Sequence, residues 1–208
     1  VTPLDLRRQL VGAARRSVEL GLNHGTTGNL SVRWRDVILV TPSGMPCDGL
    51  REEDLVAIGM DGTPAPGAGR PTSEWRLHLG IYRARPDVEA IVHAHPVFST
   101  TLACCRLDLP AVHYMLAVAG TDRVRCAPYA TFGTEVLSHA AVEALGRSKA
   151  CLLANHGLVA VGDNPADALR VAAEVEHVAE LYWRARQLGT PAILTPSEMD
   201  EVTERFRD

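Results

Sequence analysis

Leu6, Leu10, Val11, Ala14, Val18 and Leu22 recur at the spacing of one helical face, with Asp5, Arg7, Arg8, Arg15, Arg16 and Glu19 between them. This pattern predicts an amphipathic helix over residues 4–22, stopped by the glycine-rich run that begins at Gly21. Two short β-type runs, 30–34 and 37–41, come next and read as a hairpin, closed by the turn chemistry of Pro42-Ser43-Gly44. Residues 61–71 carry too many prolines and glycines for regular structure and predict a surface loop, with a linker as the alternative. A helix over 73–85 is expected from Thr72 or Ser73 as cap, Glu74 in the first turn and Pro86 beyond the end.

The apolar run Ala90-Ile91-Val92-His93-Ala94-His95 predicts a buried strand, and its period of two sets both histidines on one face. Further strands are expected at 111–115, 124–127, 150–154 and 158–161, and helices at about 134–145 and 165–188. Tight turns join some of these strands and helices join others. The expected fold is therefore α/β: one domain over residues 1–208 with a central mixed, mainly antiparallel sheet flanked by helices.

Composition narrows the function classes. A chain of 208 residues buries roughly 70% of its unfolded surface, so it needs no staples. Hydrophobic residues at 46% and charged residues at 22% place it among ordered globular chains, and 5% aromatics exclude base stacking as the main recognition device. Lys and Arg total 21 against 25 Asp and Glu, a net charge of −4 that offers no general field for nucleic acid. The five cysteines form no Cys-x-x-Cys pair and fit neither a disulfide framework nor a thiolate zinc knuckle, which points to a reducing, cytoplasmic setting. The first helix is too charged for a signal-peptide core and no window is apolar enough to cross a bilayer, so no membrane partner is expected.

The sharpest chemical signal is His93-x-His95, joined by His156 in Asn155-His156-Gly157 at the end of a later apolar strand. Three neutral imidazoles suit Zn2+ with a fourth position left to water or substrate. Taken alone, His93 and His95 read equally well as satisfied core histidines, and His24, His78, His113, His139 and His177 read that way more readily. Glu74 by itself is most simply a carboxylate favoured by the helix dipole. Three hydroxyl- and glycine-rich loops, Gly25 to Ser31, Thr41 to Gly44 and Thr72-Ser73, suit an anion held by backbone amides and neutral donors, and none is a Walker or dinucleotide loop.

In order along the chain come Gly21-Leu22-Asn23, Gly28-Asn29-Leu30-Ser31-Val32-Arg33, Thr41-Pro42-Ser43-Gly44, Ser73-Glu74-Trp75-Arg76 and Val92-His93-Ala94-His95. Val112-His113-Tyr114-Met115, the block Cys126 to Thr134, and His156-Gly157-Leu158 follow. Over nearly its whole length the sequence resembles the zinc-dependent class II aldolases of the AraD/FucA type, which implies their three-layer fold. The resemblance implies a Zn2+ ion held by His93, His95 and His156, with Glu74 as a further ligand at rest that moves off to act as acid/base. It implies a homotetramer in which Tyr114 from a neighbouring subunit handles the proton on the aldehyde oxygen. Substrate phosphate is implied among Thr26, Gly28, Asn29, Ser43, Gly44, Thr72 and Ser73, with Phe132 as an apolar wall near the aldehyde. The implied reaction is cleavage of L-fuculose 1-phosphate, or a close ketose 1-phosphate, to dihydroxyacetone phosphate and L-lactaldehyde through a metal-stabilised enediolate.

Glu74 separates this reading from the 4-epimerases of the same fold, which carry aspartate there. A 5-deoxypentulose-1-phosphate aldolase and a methylthioribulose-1-phosphate dehydratase remain alternatives. The three retained histidines weigh against a non-enzymatic scaffold domain. Relatives of the fuculose type also carry a short tyrosine-bearing tail that folds over the site, where this sequence ends at Arg207-Asp208. Such a tail would contribute to sugar discrimination.

Overall fold

The computed structural model describes residues 2–206. Thr2 and Asp5 form a reciprocal capping box that starts α1 (Pro3–Glu19), with Pro3 in the first turn where its missing N–H costs nothing. The helix ends at Glu19, short of the expected 22, because the chain turns through Leu20 to Leu22. β1 (Asn29–Trp34) and β2 (Val37–Val40) form the expected hairpin, with Trp34 opposite Val37 and Ser31 opposite Val40. A strand with no sequence expectation, β3 (Val56–Gly59), pairs antiparallel on the outer side of β2.

Further along come α2 (Trp75–Ala84), β4 (Ala90–Ala94), α3 (Val97–Cys104), β5 (Leu109–Pro110), β6 (Arg123–Val124), β7 (Cys126–Ala127) and α4 (Glu135–Leu145). They are followed by β8 (Ala150–Leu153), β9 (Gly157–Gly162), α5 (Pro165–Leu188) and α6 (Pro196–Arg205). Among the described residues the main sheet has the order β3-β2-β1-β4-β9-β8-β7, antiparallel throughout except for the parallel pair β7–β8. The fold is the mixed, mainly antiparallel sheet flanked by helices that the sequence predicts. Both faces are covered, so the central strands bury apolar side chains on both sides, with Asn29, Ser31 and His93 as the buried polar exceptions in β1 and β4. Leu30, Val92, Leu158 and Ala160 face α1, α3 and α5, whereas Ile91, Cys151, Val159 and Val161 face α2 and α4. Each such aliphatic side chain, once fully buried, contributes about 1.5–3 kcal/mol.

Two expected strands are corrected. Residues 111–115 are not extended: β5 ends at Pro110, and the chain then enters a 3-10 turn over Tyr114–Ala119, whose first free amide, on Met115, donates to His113 Nδ1 at 3.3 Å. Leu116, Ala117 and Ala119 are buried by that turn, so a helical rather than an alternating spacing fills the space. Residues 124–127 divide between two sheets, β6 pairing with β5 and β7 joining β8. Among the described residues no helix is long and apolar enough to cross a membrane.

Candidate metal centre

The site lies where β1 begins, β4 ends and β9 begins. Antiparallel pairing sets Asn29 opposite His93 and Ala94 opposite Leu158, which brings the end of β4 beside the turn from β8 to β9. That turn is tight: Asn155 takes a left-handed φ of 54°, and the His156 amide donates to the Leu153 carbonyl at 3.0 Å. The strand alternation predicted for His93 and His95 holds, and both rings meet His156 with centroids 4.7–4.9 Å apart. His93 Nε2 lies 2.9 Å from His95 Nε2 and 3.2 Å from His156 Nε2.

Glu74 completes the cluster. It stands at the N-cap of α2 with φ −101° and ψ 16°, outside the helical first turn, so the dipole reading does not account for it. Its carboxylate is buried and aimed at the imidazoles, with Oε2 3.0 Å from His93 Nε2 and Oε1 3.3 Å from His156 Nε2. Asn29 Nδ2 donates to Oε2 at 3.0 Å, while Oε1 has no hydrogen-bond donor despite its burial. The ligand atoms of Glu74, His93, His95 and His156 all lie within 4.8 Å of one another.

This donor set fits a divalent cation. The Leu158 carbonyl can only accept, so His93 Nδ1 donates to it at 2.9 Å and a neutral ring presents its lone pair at Nε2. Converging nitrogen lone pairs beside an orphaned carboxylate oxygen repel unless positive charge sits among them. Burial, helped by the nearby His93 charge, pushes His95 down to about 3 and His156 down to about 4, so both rings are neutral near pH 7, as ligands must be. Burial tends to raise the Glu74 carboxyl, but the charge and hydrogen bond of His93, the charge of His156 and the Asn29 amide outweigh it and hold it well below the usual range. Burial tends to lower His93; before a cation binds, the Glu74 charge and hydrogen bond overcome it and raise that ring, and the cation would take the place of its Nε2 proton.

A cavity of about 300 Å³ opens above the cluster. Thr26, Gly28, Asn29, Ser43, Gly44, Thr72, Ser73, Glu74, His95, His156 and Phe132 all line it, so the loops read as anion-friendly meet the imidazoles in one space. No Lys or Arg does so among the described residues. Gly28 has φ 74°, and a Cβ there would collide with the buried Asn23 amide, so the loop closes on this path only with glycine. Tyr114 stands apart: it is 47% exposed, at the start of the 3-10 turn, and does not line the cavity of its own chain. Thr27 and Pro42 line it as members of those loops, and Tyr129, Ala130 and Asn155, to which the sequence reading gives no role, line it as well. His78, read as a satisfied core histidine, is one: it is fully buried, with Nε2 2.5 Å from Asn29 Oδ1, a link to the site that its place one helical turn beyond Glu74 could have signalled.

Residues 8–183 match the family described as Class II Aldolase and Adducin N-terminal domain, and the chain belongs to that family. Two relatives are similar to it over nearly their whole length. It is 50% identical over 204 residues to the 5-methylthioribulose-1-phosphate/5-deoxyribulose-1-phosphate aldolase of Rhodospirillum rubrum, a match covering 98% of this chain and 92% of that protein. To the L-fuculose phosphate aldolase of Escherichia coli K12 it is 43% identical over 203 residues, 97% of this chain and 94% of that protein. A solved L-fuculose 1-phosphate aldolase superposes with a TM-score of 0.94 at 41% identity, covering 98% of this chain and 97% of that one.

Proposed function

We propose that the chain is a Zn2+-dependent aldehyde-lyase that splits a ketose 1-phosphate, ending in a deoxy or methylthio carbon, between C3 and C4. Its products are dihydroxyacetone phosphate and a short aldehyde. The observation that carries this reading is the buried, donor-less Glu74 oxygen among three imidazoles, in the same cavity as glycine and hydroxyl loops suited to phosphate. His93, His95 and His156 would hold the ion, with Glu74 as a further ligand at rest. When bound, that ion supplies Lewis acidity toward the sugar's C2 and C3 oxygens and draws off the charge that develops as the bond breaks.

The chain's own groups do the rest. Backbone amides at Gly28 and Gly44, with the side chains of Thr26, Asn29, Ser43, Thr72 and Ser73, would seat the phosphate without a cationic residue. Released from its resting position when substrate binds, the Glu74 carboxylate would take up a proton from solvent and deliver it to C3, which keeps the electron pair of the broken bond; in the reverse direction it takes that proton from C3 and returns it to solvent. The proton leaving the C4 hydroxyl would pass to the Tyr114 hydroxyl of a neighbouring subunit as that hydroxyl hands its own proton on to water, since Tyr114 does not line the cavity of its own chain. In this reading the whole chain is one catalytic domain of a cytoplasmic homotetramer. Phe132, 62% exposed at the cavity edge, and Tyr129, 57% exposed beside it, would face the apolar end of the leaving aldehyde.

The 50% identity to the methylthioribulose and deoxyribulose phosphate enzyme favours a five-carbon substrate, and the 43% identity to the fuculose enzyme supports L-fuculose 1-phosphate as the second reading. Coupled detection of dihydroxyacetone phosphate from 5-deoxyribulose, 5-methylthioribulose and L-fuculose 1-phosphates, with and without chelator, tests both. Chelator-sensitive release is expected, fastest from a pentulose. A methylthio substrate consumed without dihydroxyacetone phosphate would make the protein a dehydratase instead.

A further inference from the structure

Beneath the metal centre, buried side chains form a hydrogen-bonded series whose polarity can be assigned link by link. An ionised Glu74 only accepts, so Asn29 Nδ2, 3.0 Å from Oε2, is the donor and Asn29 Oδ1 points the other way. That oxygen only accepts, so His78 Nε2, 2.5 Å away, carries a proton. In a neutral ring Nδ1 is then the acceptor; the Ser31 hydroxyl donates to it at 2.7 Å, and Ser31 Oγ accepts from the Tyr82 hydroxyl at 2.9 Å. Reversing the last two links would leave the Tyr82 hydroxyl, 1% exposed, with no acceptor among the described residues. Burial also pushes His78 down to about 3, against an imidazolium.

The two ends of an asparagine amide have nearly the same shape, so packing alone does not decide which end meets the carboxylate. We propose that His78 is a positioning residue for the reaction: as the Nε2–H tautomer it fixes the Asn29 amide with its NH2 toward Glu74, and so sets the aim of the acid/base carboxylate. Glu74 stands at the N-cap of α2 and His78 lies in the helix four residues on, so one element carries both ends of the series. The assignment rests on the acid/base role proposed for Glu74.

Long-range 1H–15N correlation spectra of the labelled, metal-loaded enzyme at pH 7, with His78 identified by the signals lost in His78→Gln, read the tautomer directly. A neutral ring protonated at Nε2 is expected; an imidazolium or an Nδ1–H ring overturns the proposal. In kinetics, His78→Leu removes the donor and should lower kcat about tenfold or more, with KM moving much less. His78→Gln, whose amide nitrogen can stand near the place of Nε2, should restore most of that loss. Equal kcat in the two variants, lowered or not, overturns it. The spectra need no substrate, so an Nε2–H ring in a chain that cleaves no ketose 1-phosphate would defeat the functional reading and leave the Asn29 orientation standing.

Discussion

Gly157→Ala is the sharpest test of how the fold holds its imidazoles. Gly157 opens β9 immediately after His156, with an ordinary φ, so an added methyl meets only a steric objection. Its Cβ would stand 2.5 Å from the Ala94 carbonyl oxygen and 2.9 Å from His95 Cδ2, both inside the 3.0 Å that real Cβ atoms essentially never cross. The first neighbour is strand backbone and cannot give way without opening the β4–β9 pair; the second is a ligand ring. Overpacking of this kind costs about 1–3 kcal/mol. Relief must displace His95, His156 or both, and a disturbed ligand shell typically lowers metal affinity about 10- to 100-fold. Competition against a chromophoric chelator measures the affinity, and urea unfolding of the metal-free protein measures the stability. Gly12→Ala, in α1 with nothing within 4 Å of the new methyl, is the control and should be neutral or slightly stabilising. If Gly157→Ala bound Zn2+ as tightly as the unchanged chain, the claim that this contact sets the spacing of the imidazoles would be wrong.

Glu74→Gln should keep the fold and bind metal through the three histidines, yet lower cleavage on the order of 100-fold or more; a full rate with metal present would remove Glu74 from the acid/base role. Acid stability gives a third measurement. Burial holds the folded His78 ring down to about 3, against 6.5 when unfolded, so between those values the unfolded chain binds the extra proton. Stability from this ring is therefore complete above pH 6.5 and falls as pH drops below it, by about 1.4 kcal/mol per unit. Urea unfolding of metal-free protein between pH 4 and 6 should show that much more slope in the unchanged chain than in His78→Gln. Equal slopes would mean that His78 is protonated in the fold.

Much of the site was legible because its signals are local. His93 and His95 share a face through strand periodicity alone, and the anion loops announce themselves by glycines and hydroxyls. What was not legible depends on partners far along the chain. α3 has Pro96 at its start and no side-chain cap of its own; the Phe98 and Ser99 amides donate instead to Glu176 on α5, each at 2.7 Å. No reading of residues 96–99 contains that carboxylate. The importance of His78 depends on Asn29 and Ser31 arriving from β1, which pattern reading cannot supply. α6 is a different case: Thr195 and Glu198 form a capping box whose spacing is written in the sequence itself.

The Glu176 contact also bears on the order in which the molecule is assembled. The chain leaves the ribosome from its N-terminal end, so the histidines on β4 and the beginning of α3 emerge more than seventy residues before the carboxylate that completes them. Until α5 has been made and has docked, the two amides that follow His95 and Pro96 lack their acceptor, and the end of β4 has no fixed exit. A nascent chain halted before Glu176 would therefore hold all three imidazoles and Glu74 yet lack the clamp on the residues that follow His95, so the settled centre waits on a helix that contributes no ligand to it.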